Sequence, residues 1–199
     1  MAYHTQTFLN VLDPEDSTAG GGSASAIAGA MAGALVAMVC RLSVKGQEDQ
    51  EQALFNPIAL QAQELSSQLM LGSQQDTQAF QAVSRAYQLP KENEEQRIIR
   101  REAVQAAWCE AAQVPLDNAG RCFQVFKMAS DLSGRINPKV ASDLNCALLL
   151  AHAGLLGCLE NVMINLPSIK DTTASAALTE QAGRLRQQLA AIDTTSLNS

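Results

Sequence analysis

Apolar positions recur along this chain at spacings of three and four, and polar breaks cut them into segments of helical length. The densest segment, Ser17 to Cys40, is a run of Ala, Gly, Ser, Met, Val and Leu with no charged residue. Gly20, Gly21 and Gly22 lead through Ser23 into it, which predicts a helix from Ser23 to about Leu42 with Ser23 as its cap. Small side chains around that helix allow close approach from several sides, so it is expected to be the centre of the fold. Ahead of it, Thr5 to Leu12 has a short amphipathic pattern closed by Asp13-Pro14.

Beyond a polar break at Lys45 to Asp49, helical spacing resumes through Ile58, Leu65, Leu69, Phe80, Val83 and Tyr87, with Pro57 a possible kink. Gln88-Leu89-Pro90 ends this segment. Asp76 falls in phase with Leu69, Phe80 and Val83. A carboxylate on an apolar stripe costs free energy unless it is paired or used. The mixed-charge run Lys91 to Arg101 reads as the solvated start of a helix that continues through Val104, Trp108 and Ala112 towards Leu132, with Pro115 a second possible kink. Gly134 terminates it, and Asn137-Pro138 opens the next. On that next helix a single stripe joins Asp143, Ala147, Leu150, Gly154, Gly157, Asn161 and Asn165, until Pro167 closes it. Ala174 to Ile192 forms a last amphipathic helix, followed by a polar tail after about residue 193. Tyr87, Trp108 and His152 read as core. The expected architecture is all-α: one domain over residues 1–199, an up-and-down bundle of about six helices around the Ala/Gly-rich one.

Composition narrows the function. Aromatic residues are only 4% of the 199, which suits close-packed helices better than strands, and the net charge of −6 disfavours a nucleic-acid surface. Five scattered cysteines without CxxC spacing read as buried reduced thiols, and two histidines without a His/Cys cluster make a metal site unexpected. The uncharged run is long enough to span a membrane, but it is built from Ala, Gly and Ser and follows Asp13, Glu15 and Asp16. Met1 to Asn10 lacks the basic start of a signal peptide. A soluble cytoplasmic protein with no membrane or nucleic-acid partner is expected.

Five segments in order carry a resemblance: GGGSASAIAGAMAGALVAMV (20–39), DTQAF with YQLPK (76–80 and 87–91), VPL (114–116), NPKVASD (137–143) and NVMINLPSIKD (161–171). Together they resemble the cyclodeaminase/cyclohydrolase family of folate enzymes across almost the whole chain. The resemblance implies an all-helical homodimer that uses no metal or cofactor and takes a reduced folate. Family members open or close the one-carbon bridge between N5 and N10 of tetrahydrofolate, as methenyltetrahydrofolate cyclohydrolase or formiminotetrahydrofolate cyclodeaminase. Three positions depart from the family pattern: Ala19 stands where proline is usual, Leu144-Asn145 follows Ser142-Asp143 where glycine is usual, and Val44-Lys45-Gly46-Gln47 lacks the usual tyrosine. These departures motivate the alternative of a catalytically impaired folate-binding or interaction homologue.

Both reactions pass through a tetrahedral carbon between two nitrogens and need a proton donor and acceptor, which a carboxyl in a partly dry site supplies. Asp76 and Asp143 are the only acids on apolar stripes and are the expected catalytic pair. Each also has a structural reading, Asp76 as a buried cap or ion-pair partner and Asp143 as a helix-N-terminal acid. The N–H groups of Gly20, Gly21, Gly22 and Ser23 suit a ligand carboxylate or formyl oxygen, and equally a tight entry to the helix. Asn161 and Asn165 either hydrogen-bond the pterin or tie helices together, and Lys45 is a candidate partner for a folate carboxylate.

Overall fold

The computed structural model of this chain describes residues 19–44 and 49–196. Five long helices and no strand occur among them: α1 (Gly21–Ser43), α2 (Asp49–Tyr87), α3 (Glu94–Leu132), α4 (Ala141–Asn165) and α5 (Thr172–Ser196). One-turn 3₁₀ segments, Pro138–Val140 and Leu166–Ser168, flank α4 at its two ends. The all-α expectation holds, with five helices described instead of about six. The helix expected over Thr5 to Leu12 lies outside the described residues, as does Lys45. Pro57 and Pro115 both sit inside continuous helices.

The ends follow the local chemistry. Asn93 caps α3, its Oδ1 accepting from the Gln96 N–H at 2.9 Å. Gly134 takes the left-handed conformation (φ 74°) just past the end of α3, where a Cβ would be strained. Asn137 turns the chain into the Pro138–Val140 segment by accepting from the Lys139 N–H at 3.0 Å.

Helix α1 packs most extensively against α2 and α4, with α3 behind it and α5 laid on α3. Successive helices run antiparallel: Gly22 faces Asp76 while Gly33 faces Ala62 and Ser66 of α2, and Ser25 faces Gly154 and Gly157 of α4. Small residues set these distances. A Cβ at Gly154 would lie 2.8 Å from the Ser25 carbonyl oxygen and 3.0 Å from the Gly29 nitrogen, so the two backbones touch. Gly154→Ala is therefore expected to cost about 1–3 kcal/mol by forcing α1 and α4 apart. Gly183→Ala, with nothing within 4 Å of the new methyl group, should stabilise by about 0.5–1 kcal/mol through helix propensity alone. Urea midpoints of the two variants check the pair.

Helices α2 and α3 are 39 residues each, about 58 Å, against 23 residues, about 35 Å, for α1. Their joined ends therefore outrun the body as an arm with its own apolar cluster, Ala79, Val83, Ala86, Val104, Ala107 and Ala111. Tyr87 on this arm is half exposed, which corrects its reading as core, and Trp108 at its base is half buried and packs against both apolar clusters. His152 is likewise half buried, 5.8 Å from the Phe126 ring. Cys40, Cys122 and Cys158 are buried, Cys109 is half buried and Cys146 is exposed, so burial holds for three of the five expected thiols.

Two stretches, Gly21–Ser43 and Pro138–Ser168, are long and apolar enough to cross a membrane by length and composition. Both pack into the bundle, yet each keeps an outward apolar stripe. Met31 is 54% exposed on α1 and Leu149 is 72% exposed on α4.

Candidate active site

Four helices converge at the amino end of α1. The chain enters this helix through Gly20, whose conformation is extended and which offers no side chain to the free N–H groups. The helix begins two residues earlier than the sequence pattern suggests, so Ser23 lies within the first turn and is not its cap. Asp76 of α2 takes over the capping. It accepts from Ser23 Oγ, at 2.9 Å from Oδ2, and from the Ser23 backbone N–H. Ser23 is fully buried, and its hydroxyl also meets Thr77 Oγ1 at 3.1 Å.

Glycine is required at position 22. A Cβ there would overlap the Asp76 carboxylate, 2.6 Å from Oδ2. Gly21 is tight in the other direction, since its Cβ would stand 3.2 Å from Asn161 Nδ2. The glycine turn thus lets a carboxylate of α2 and an amide of α4 both reach the start of α1.

Burial pushes the Asp76 carboxyl above the ordinary aspartate range, and the two hydrogen bonds from Ser23 pull it back only in part. A half-buried acid with a raised pKa holds its proton more readily than a solvated one, which suits it to proton exchange with a ligand.

A cavity of about 310 Å³ opens beside this carboxyl, lined by Gly20, Gly22, Asp76, Phe80, Trp108, Ala111, Asn161, Ile164 and Asn165. Asp76 is the one charged residue in that lining. Asn161 Nδ2 donates to the Gly157 carbonyl at 2.8 Å, and Asn165 Nδ2 donates to the Ala111 carbonyl at 2.7 Å. Both amides are thereby turned so that Oδ1 remains to accept from a ligand. Asn165 ties α4 to α3 by that bond, the second of the two readings given for it, while also lining the cavity.

Of the expected site residues, the structure brings together Gly20, Gly21, Gly22, Ser23, Asp76, Asn161 and Asn165. It does not bring Asp143 to them. Asp143 sits in the first turn of α4, eighteen residues from Asn161, or about 27 Å along the helix. It shares that end of the bundle with the close of α1, where the Asn137 N–H donates to Ser43 Oγ at 3.1 Å. Lys45 lies outside the described residues. Phe80 and Trp108, not singled out as site residues from the sequence, form part of the cavity wall. The spacing held a signal for Phe80: four residues after Asp76, it lies one helical turn further along the same face.

Comparison with known proteins places the fold. The formiminotransferase-cyclodeaminase family model matches residues 4–184. This chain belongs to that family. It is 35% identical over 184 residues to the methenyltetrahydrofolate cyclohydrolase of Methylorubrum extorquens, covering 92% of this chain and 88% of the relative. It is 27% identical to the formimidoyltransferase-cyclodeaminase of Sus scrofa, covering 92% of this chain but 34% of that longer protein. Among solved structures, the formiminotetrahydrofolate cyclodeaminase of Thermotoga maritima matches with a TM-score of 0.79 and 28% identity, over 92% of this chain and 87% of that one. The family's fold therefore spans nearly the whole of this sequence, and its helices include the ones that build the cavity.

Proposed function

We propose that this protein is a folate one-carbon enzyme that opens or closes the N5–N10 bridge of tetrahydrofolate, with methenyltetrahydrofolate cyclohydrolase as the favoured activity. The cyclohydrolase of Methylorubrum extorquens and the cyclodeaminase of Thermotoga maritima are covered to a similar extent, 88% and 87%, and the higher identity to the cyclohydrolase, 35% against 28%, favours that activity. The observation that carries the reading is the lone raised-pKa carboxyl, Asp76, set in a small cavity otherwise walled by amides, backbone and aromatic rings.

The chemistry fits that lining. The methenyl bridge is a planar amidinium cation, which one carboxylate and two aromatic faces suit. Asp76 as its carboxylate takes a proton from water as it adds to the bridge carbon. The same group, now protonated, returns the proton to the departing nitrogen. In the alternative deamination it would assist the loss of ammonia by the same exchange. The amide oxygens of Asn161 and Asn165 accept from N–H groups of the pterin.

The working unit in this proposal is a homodimer. The outer face of α1 carries Met31, Ala34, Leu35 and Met38 with no charge, beside exposed Leu149 of α4, and a patch of this kind on a soluble chain marks a contact surface. A second copy is the matching occupant, because a two-fold axis near the middle of α1 sets the same uncharged face against itself. Antiparallel pairing of that sort carries the Asp143 end of one protomer towards the Asp76 end of the other, which gives the second carboxylate a route to the site.

The direct test follows the loss of methenyltetrahydrofolate absorbance by the purified protein, alongside ammonia release from 5-formiminotetrahydrofolate. Turnover of the methenyl compound is the expected result. Ammonia release alone would make the protein a cyclodeaminase, and turnover of neither would leave the alternative, a folate-binding homologue without activity.

A further inference from the structure

The α2–α3 arm does more to the cavity than close one side of it. Phe80, 41% exposed, and Trp108 both line the cavity, at the point where the arm leaves the body. A large apolar ring left open to solvent beside a polar cavity has no packing reason to be aromatic, since Leu or Met would fill the same stripe.

The orientation of Trp108 is also held from outside. Its Nε1–H donates to Tyr87 Oη at 3.3 Å. The Tyr87 carbonyl accepts from Arg100 Nε and Nη2 at 3.2 and 3.0 Å, and the same guanidinium lies 5.5 Å from the centre of the Tyr87 ring. A chain of contacts from the tip of α3, through the last residue of α2, thus sets the tilt of a ring that faces the cavity. A half-buried indole N–H is satisfied in this way wherever it packs, and here the same bond also fixes the ring that lines the cavity, which a stacking surface requires because a ring free to turn loses affinity.

We propose that Phe80 and Trp108 are the stacking wall for the flat pterin end of the folate, and that Tyr87 and Arg100 are positioning residues for Trp108. The inference rests on the folate reading above. The cavity, about 310 Å³, is at the small end of ligand sites and is room for a bicyclic ring. In this proposal the ring lies on the wall and the p-aminobenzoylglutamate tail lies beyond it.

That division makes the test selective. Wild type and Trp108→Leu are titrated calorimetrically with 5-formyltetrahydrofolate, a stable reduced folate, and with p-aminobenzoylglutamate, which lacks the pterin, as its competitor. Loss of the ring is expected to weaken 5-formyltetrahydrofolate by about tenfold, as stacking on aromatic side chains typically does, and to leave p-aminobenzoylglutamate unchanged. Trp108→Phe should recover most of the loss. Tyr87→Phe, which removes only the hydroxyl that holds the indole, should give a smaller loss of about twofold to threefold with the melting temperature unchanged.

Binding of 5-formyltetrahydrofolate by Trp108→Leu within twofold of wild type would overturn the wall, as would equal weakening of both ligands. If Trp108→Leu loses its cooperative melt, Phe80→Leu carries the same test with the same two outcomes, its ring being partly solvated already. Wild-type protein that binds no reduced folate at all would instead overturn the folate reading, and with it this inference; the two failures are separate results.

Discussion

Asp76→Asn should lower kcat for methenyltetrahydrofolate by about 100-fold or more, while the melting temperature at neutral pH stays at the wild-type value or rises. The two halves of this expectation have one cause. Burial raises the pKa of Asp76 above its ordinary 3.8, so the folded state binds the proton more tightly than the unfolded chain does. A raised carboxyl contributes stability that is fully present below pH 3.8 and is lost as pH rises through the folded-state value. Wherever the pH exceeds that folded-state value, the ionised carboxylate is a burden on the fold that a neutral amide relieves. The amide cannot take up a proton, which is why the same change is expected to lower the rate. The same sign governs the rate: the wild-type kcat/KM should fall on the acid side with an apparent pKa above 3.8, and Asn at this position should remove that limb. A rate near that of wild type in Asp76→Asn would remove the residue from the mechanism.

The second large effect concerns Asp143. Inactive Asp76→Asn and Asp143→Asn chains, unfolded together in equal amounts and refolded, are expected to recover about a quarter of the wild-type activity. Half of the dimers formed are mixed, and each mixed dimer has one site in which both aspartates are intact. If both aspartates of a site come from one chain, the mixture stays inactive. If Asp143→Asn is active by itself, Asp143 is the helix-N-terminal acid its position also allows. Met31→Glu, which places a charge on the uncharged face of α1, should give a monomer by light scattering and lose turnover with the partner.

Much of this could be seen in the residue pattern, for physical reasons that also mark where it stopped. Helix α1 was legible because a stretch of Ala, Gly and Ser without charge can only be satisfied by neighbours on several sides. Asp76 was legible as a site residue because an acid in phase with Leu69, Phe80 and Val83 needs a reason to be there. Asn161 and Asn165 stood out in the same way, as amides on an otherwise small and apolar stripe, and the glycines stood out as a turn opening an uncharged helix. Tyr87 was misread because an aromatic ring on such a stripe gives the same signal whether it meets a core or solvent, and Trp108 packs on both apolar clusters while its place in a cavity wall left no mark on the pattern. The difference lies in α2 and α3 outrunning the other helices, which is a matter of relative lengths and not of periodicity. Asp143 shows the opposite limit: it shares a stripe with Asn161, but residues on one face of a helix can be further apart than any ligand of this size can bridge.

The hydroxyl of Ser23 lies between two acceptors, Asp76 Oδ2 at 2.9 Å and Thr77 Oγ1 at 3.1 Å, with Thr77 Oγ1 itself 3.4 Å from the Ser73 carbonyl. These four oxygens and the two hydroxyl hydrogens make a short wire with two settings. With Asp76 ionised, Ser23 points its hydrogen at the carboxylate, and Thr77 is free to give its own to Ser23. With Asp76 protonated, Ser23 can accept from the acid and turn its hydrogen to Thr77, which then donates to the Ser73 carbonyl. The two settings differ only in where the hydrogens sit, so the change of charge on Asp76 is absorbed beside α1 with no heavy atom having to move.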